Sequence, residues 1–167
     1  MLEVESLSDI YTVRQLDNKD VYKVLELEKG NPLYFEFAPP APSVDSILDD
    51  MRVLPPNMRY EDKYYVGYFD HVSLVAVMDI IVGYPQKETI FIGFFMMNKV
   101  FSGRGIGSRI IAYALNKFLE MGYSKARLGY MKNNMQSKSF WYKCGFIETG
   151  EEVEIDKGTV VAMEKVL

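Results

Sequence analysis

Hydrophobic and polar positions along the chain fall into short periodic blocks separated by turn residues. Tyr11 to Gln15 (YTVRQ) alternates and predicts a first strand. Asp17 or Asn18 is placed to cap a helix that turns Val21, Val24 and Leu25 inward and ends at Gly30. The aromatic, proline-rich stretch from Asn31 to Pro42 cannot continue that helix. Ser43 caps a second short helix carrying Ile47, Leu48 and Met51, which stops before Pro55 and Pro56. Strands are predicted at Lys63 to Tyr68, Ser73 to Val82 and Ile90 to Met97. The turns at Asp70-His71 and Gly83-Tyr84-Pro85 make these an antiparallel meander.

Beyond the meander, Ile106, Ile110, Ile111, Ala114, Leu115 and Phe118 recur at helical spacing, predicting a helix from Gly105 to Met121 with Gly122 as its stop. Lys125 to Met131 reads as a strand and Asn134 to Cys144 as a helix closed by Gly145. Phe146 to Ile155 and Thr159 to Val166 form a final hairpin around Asp156-Lys157-Gly158. The order is β-α-α-β-β-β-α-β-α-β-β. It predicts one α/β (α+β) domain over residues 1–167, with a mixed, mostly antiparallel sheet of about seven strands and about four helices. The strand–helix–strand crossover places Ile90 to Met97 and Lys125 to Met131 parallel and adjacent.

Composition narrows the function classes. At 167 residues and 49% hydrophobic content, the chain can bury a sizeable core. No apolar stretch is long enough to cross a bilayer, and MLEVESLSDI has no basic region before an apolar one, so a cytoplasmic protein without membrane attachment is expected. Cys144 is the only cysteine, read as a small apolar residue near a helix end, and His71 the only histidine, read as a solvated turn residue. Together they offer no transition-metal site. A net charge of −4 argues against nucleic-acid binding and is compatible with a cationic acceptor.

The most specific feature is FSGRGIGSRIIAYAL, Phe101 to Leu115, a glycine-rich turn running directly into an amphipathic helix. Glycines let the backbone approach a ligand closely, and the first turn of a helix presents unpaired N–H groups and a positive dipole end to anions. The loop is not a dinucleotide fingerprint, because Ser108 stands where the last glycine would be, and it lacks the Gly-Lys-Ser/Thr ending of a Walker loop.

The loop fits R/Q-x-x-G-x-G/A, and NMQSKSFWYKCGF, Asn134 to Phe146, fits N-x-x-A/S-x-x-F-Y-x-K-x-G-F at Asn134, Ser137, Phe140, Lys143, Gly145 and Phe146. With both motifs in order, the chain resembles the GNAT superfamily of acetyl-CoA-dependent N-acetyltransferases. The resemblance implies that the two parallel strands, fourth and fifth of the sheet, splay apart around the pantetheine arm of acetyl-CoA. It implies cosubstrate contacts from Phe95, Met96 and Met97 in the strand. The loop would contribute Ser102, Gly103, Arg104, Gly105, Ile106, Gly107 and Ser108, and the second motif Asn134, Ser137, Phe140, Trp141 and Lys143. A backbone N–H, foremost that of Met97, would face the thioester oxygen. By the same resemblance, and from the edge strands of the final hairpin, a homodimer is compatible with the sequence.

The chain departs from the family pattern in two places. Ser102 replaces the usual Arg or Gln, and Trp141 stands where many members have the tyrosine that protonates the leaving thiolate. Tyr142 is the neighbouring candidate acid, although one helical residue turns it by about 100° to another face. For the base, Asp79 interrupts the apolar run SLVAVMDIIVG; it is a base or amine anchor, a structural ion-pair partner of Arg127 or Arg59, or a residue at a sheet edge open to water. The hairpin places its cross-strand partner near the start of Ile90 to Met97, at the rim of the cleft. Glu36 is the second candidate, with Tyr34 and Phe35 as pocket walls. Two function classes remain open on sequence: an N-acetyltransferase acting by direct transfer on a small-molecule or peptide amine, and a catalytically weak GNAT-fold module that binds acetyl-CoA in a regulatory or partner-binding role.

Overall fold

A computed structural model describes residues 1–167. Seven strands form one sheet in the order β1-β2-β3-β4-β5-β7-β6. The strands are β1 (Thr12–Gln15), β2 (Lys63–Asp70), β3 (Ser73–Val82), β4 (Thr89–Met97), β5 (Lys125–Met131), β6 (Ile147–Ile155) and β7 (Gly158–Val166). All neighbours are antiparallel except β4 and β5. The helices are α1 (Val21–Lys29), α2 (Pro32–Phe37), α3 (Val44–Asp50), α4 (Ile106–Glu120) and α5 (Met135–Lys143). No helix is long and apolar enough to cross a membrane.

Strand alternation sends successive side chains to opposite faces, and both faces are covered. Tyr64, Val66 and Tyr68 of β2 join a core with Ile110, Ile111, Leu115 and Phe118 of α4. Tyr65 and Phe69 point the other way, into a second core with Val21, Val24 and Leu25 of α1 and Ile47 of α3. A strand covered on both faces must be nearly continuous in apolar residues, which is how β3 reads.

One segment differs from the sequence expectation. Asn31 to Pro42 contains a separate helix, α2, because Pro32 occupies the first helical turn, where its missing N–H costs nothing. Gly30 caps α1, and Pro32 begins α2.

Two features open the sheet where the site lies. First, β4 pairs with β5 only from Thr89 to Ile92, opposite Lys125 to Leu128, so the strands part from Gly93 onward. Second, the β3–β4 register slips between Asp79 and Ile80, leaving Gly93 as the extra residue of a bulge. Asp79 therefore faces Phe94 in mid-strand, not the start of β4. The rim position expected from the hairpin turn is corrected by the pairing itself: Val82 faces Ile90, so three residues further back Asp79 would already face Gly93, and the bulge carries it one residue deeper.

Candidate active site

One side of the candidate site is built around the glycine loop. Gly103 and Gly105 adopt left-handed backbone conformations, with φ of 78° and 73°, and Gly105 is the N-cap of α4. A Cβ at either would meet nothing within 4 Å, so backbone conformation, and not crowding, selects glycine there. Gly107 is different: a Cβ would fall 3.1 Å from the Met97 side chain and 3.4 Å from Phe140, which brings α4 close against β4 and α5.

The backbone of the splayed strand completes this side. Asn98 donates its N–H to Val75 O in β3 at 2.8 Å. By alternation, the N–H and C=O groups of Met97 and Phe95 face the gap left by β5. Asn31 Nδ2 donates to Met97 O at 3.0 Å and holds that carbonyl, while the Met97 N–H, one peptide earlier, faces the gap by the same alternation.

A cleft of about 370 Å3 runs along these elements, lined by Phe95, Met96, Met97, Ser102, Gly103, Gly105, Ile106, Gly107, Ser108, Ser137, Phe140, Trp141 and Lys143. Arg104 is exposed and does not line it. Asn134 does not line it either: buried, it caps α5 by accepting the Ser137 N–H at 3.1 Å. Asn31, Tyr34, Phe101 and Gln136 line the cleft and were not singled out by sequence as donor-side residues.

A second cavity, about 470 Å3, opens between the α1–α3 layer and the sheet. Its sheet side carries Tyr65, Asp79, Phe91 and Phe94, and its helical side Glu28, Tyr34, Phe35 and Asp50. The cavity and the cleft meet at Tyr34, Phe95, Ser137 and Trp141, which line both. Phe95 stacks on Phe140 at 5.7 Å, and Trp141 packs edge-on to Phe140 and Phe146, so an aromatic block fixes this junction.

Asp79 is buried and takes both carboxylate oxygens to Lys63 Nζ, at 2.7 and 2.8 Å. Neither Arg127 nor Arg59 is its partner; Arg127 pairs with Glu151 and Glu164, and Arg59 with Glu61 and Asp62. Burial outweighs Lys63 and pushes the Asp79 carboxyl up to about 6. Glu28 is 2% exposed, and its Oε1 has no hydrogen-bond partner within the protein. Burial, with Asp50 nearby, pushes its carboxyl up to about 7. Asp50, at the end of α3, stays solvent-accessible at the cavity wall, yet desolvation raises its carboxyl also.

Other candidates fall away from the site. Glu36 is exposed on α2 and lines neither cavity. Tyr142 is 43% exposed, outside both cavities, with Lys138 Nζ 5.7 Å from its ring centre. Tyr34 lines both cavities, and burial pushes its hydroxyl up to about 12, so it stays protonated at neutral pH. Burial also pushes the Cys144 thiol up to about 11, which leaves it a poor nucleophile. His71 is exposed in the β2–β3 turn with φ 53°.

A profile of the acetyltransferase (GNAT) family matches residues 22–146. The chain belongs to that family: it is an acyltransferase, with acetyl-CoA as cosubstrate. No curated protein matches the sequence. Among solved structures, it is similar to an acetyltransferase from Thermus thermophilus (20% identity, 94% of this chain and 97% of that one, TM-score 0.71). It is similar also to spermidine N-acetyltransferase from Vibrio cholerae in complex with CoA and spermine (18% identity, 95% and 96%, TM-score 0.68). A third similar structure is aminoglycoside acetyltransferase AAC(6')-Ib in complex with coenzyme A and kanamycin (15% identity, 93% and 94%, TM-score 0.70).

Proposed function

We propose that the protein is an N-acetyltransferase that moves the acetyl group of acetyl-CoA directly to a primary amine held in the cavity beneath α1–α3. One observation carries this reading: the glycine-loop cleft and a carboxylate-bearing cavity meet at four shared residues, Tyr34, Phe95, Ser137 and Trp141. A thioester entering from one side and an amine from the other would meet there without a covalent enzyme intermediate. Proximity alone supplies much of the rate in such an arrangement.

The residues divide the work as follows. The N-terminus of α4 and the loop backbone from Ser102 to Ser108 bind pyrophosphate. The gap-facing backbone of Phe95 and Met97 pairs with the pantetheine amides, as an added strand would, and a Met97 or Phe95 N–H polarises the thioester oxygen. Asp79 accepts the proton lost by the attacking amine. Its oxygens keep further lone pairs free beyond those given to Lys63, and with its carboxyl near 6 it is ionised at neutral pH. As the C–N bond forms and the C–S bond breaks, the electron pair leaves on sulfur. An unperturbed thiol titrates at roughly 8.5, so the thiolate departs with modest help. Tyr34 is the tyrosine placed to give that help.

Spermine and kanamycin, the amines bound in two of the similar structures, support a cationic amine as the acceptor class. Because acetyl-CoA is a cytoplasmic metabolite and the chain carries a single unpaired thiol, we place the reaction in the cytoplasm. The test is transfer of labelled acetyl from acetyl-CoA to pooled amines. Tight acetyl-CoA binding with no labelled product from any pool would replace the enzyme by a binding module, the reading favoured by Trp141 at the tyrosine position.

A further inference from the structure

The acceptor cavity is electrically polarised. At the sheet floor, Asp79 is already compensated by Lys63, whose side chain is 2% exposed and whose ammonium lies on both carboxylate oxygens. A second cation brought to that end would meet the Lys63 charge, so an amine there is favoured in its neutral, nucleophilic form. On the α1 side the balance is reversed. Glu28 has no ion-pair partner and its Oε1 no hydrogen bond, while the Tyr65 hydroxyl, buried and lining the same cavity, also lacks a partner. Asp50 adds a further negative charge to the wall. Leaving such groups unsatisfied costs free energy that a bound donor would recover.

We infer that the acceptor is a short aliphatic diamine or longer polyamine, whose distal ammonium docks on the Glu28 carboxylate, beside the Tyr65 hydroxyl, while its other nitrogen is acetylated. An ammonium held by Glu28 has no lone pair and cannot attack the thioester. A ligand that satisfies Glu28 as a cation and reacts as a free amine therefore needs two nitrogens. The walls between the two ends suit the connecting methylenes: Tyr34 packs edge-on to Phe35 at 5.0 Å and to Phe94 at 5.7 Å, with apolar faces toward the cavity. Lys157, on the β6–β7 turn at the cavity wall, lies near enough to Glu28 and Asp50 to favour their charged forms, but one cation facing two carboxylates leaves this end net negative. The inference rests on the transferase reading for the identity of the reacting end, but not for the binding of the distal one.

Calorimetry on the protein saturated with coenzyme A separates the two. 1,5-Diaminopentane, n-pentylamine and 5-amino-1-pentanol share a chain and differ at the far end. The diamine is expected to bind at least about tenfold more tightly than either analogue, the order expected of a charge-assisted hydrogen bond. Every amine should release a proton from its own reacting nitrogen on binding at neutral pH, and the diamine should release more, from Glu28, visible as a larger buffer-dependent heat. Glu28→Gln should abolish both the preference and that additional release, and Asp50→Asn should weaken the preference severalfold. Equal affinity for all three amines, or a preference untouched in both variants, overturns the inference. So does a Glu28→Gln variant that binds diamine as before but transfers acetyl slowly to all amines, which would make Glu28 the base. Preserved diamine preference without acetyl transfer would sink the transferase reading and leave the docking site standing.

Discussion

Gly93 is where the backbone makes room for Asp79. A Cβ built on Gly93 would lie 2.5 Å from Asp79 Oδ2, inside any real contact, and the obstruction would be the carboxylate that Lys63 holds from the other side. Gly93 is also the extra residue of the β3–β4 bulge and the point where β4 leaves β5. One glycine thus links the parting of β4 from β5 to the Asp79–Lys63 ion pair. Gly93→Ala should push the carboxylate off Lys63 and partly unpair a buried charge. We expect a loss of roughly 2–4 kcal/mol in denaturant unfolding, within the range for disrupting a buried pair. Turnover should fall with acetyl-CoA affinity nearly unchanged. A variant as stable as the wild type would show that the pair has other room to move.

Gly105→Asp tests the donor loop. Aspartate is among the side chains that tolerate a left-handed conformation, and no atom stands within 4 Å of the new Cβ, so the fold should survive. Its charge would face the N-terminus of α4 and compete with pyrophosphate. Calorimetry should find acetyl-CoA binding weakened by about 100-fold or more, the equivalent of losing two charge-assisted hydrogen bonds. Unchanged affinity in a folded variant would place the cosubstrate elsewhere.

The proton donor is decided by a pair of substitutions. Tyr142→Phe should leave kcat within about twofold, because its hydroxyl lies outside both cavities. Tyr34→Phe should lower kcat by about 10- to 100-fold with acetyl-CoA affinity preserved, the range for a general acid whose leaving group is itself acidic. Trp141→Phe should keep most turnover, its role being to pack against Phe95, Phe140 and Phe146.

Local signals in the sequence were sufficient for the fold and for the glycine turn at the start of α4, but not for the ion pair. Counting back from the β2–β3 turn, where Asp70 faces Ser73, an unbroken register would set Asp79 opposite Tyr64 and put Lys63 on the other face. The bulge between Tyr68 and Phe69 shifts the pairing, so Asp79 faces Tyr65, and Lys63 joins it on the cavity side as a diagonal neighbour. A one-residue slip of this kind has no mark in the hydrophobic pattern. Glu28 did leave a mark. Val21, Val24, Leu25 and Glu28 stand at i, i+3, i+4 and i+7, so the carboxylate lies on the apolar stripe of α1 and had to be buried. The prolines of Asn31 to Pro42 rule out a continuation of α1, yet Pro32 serves equally as the first residue of a new helix.

Glu28 also ties stability to pH. Its carboxyl is near 7 in the folded protein against an ordinary 4.5, so the folded state binds more protons between those values. Its contribution is fully present below pH 4.5 and is lost as pH rises through 7. Glu28→Gln removes that dependence. Relative to wild type, the variant should gain stability progressively across this window and hold a gain of about 2–3 kcal/mol above it, an upper value given solvent relaxation. Melting temperatures across this range provide the check, and a variant destabilised at about pH 8, where the wild-type carboxyl is ionised, would mean that Glu28 finds a partner on folding.

Asp79 should set the acidic limb of catalysis. A base must be ionised to accept a proton, and burial holds this carboxyl near 6, so activity should be present above that pH and decline as pH falls through it. Asp79→Asn keeps the shape, removes the charge, and leaves Lys63 buried without its counter-ion, at a cost of about 3–5 kcal/mol in stability. Loss of activity in that variant alone would therefore be ambiguous. In Lys63→Gln/Asp79→Asn, two neutral amides face each other and most of the lost stability should return. If Asp79 is the proton acceptor, the double variant should remain about 100-fold below wild type in kcat/KM at neutral pH, and its acidic limb near 6 should disappear. The pH–rate profile separates the roles: recovered turnover with the limb intact would make the pair a structural floor, and the proton would then leave through another group in the cavity.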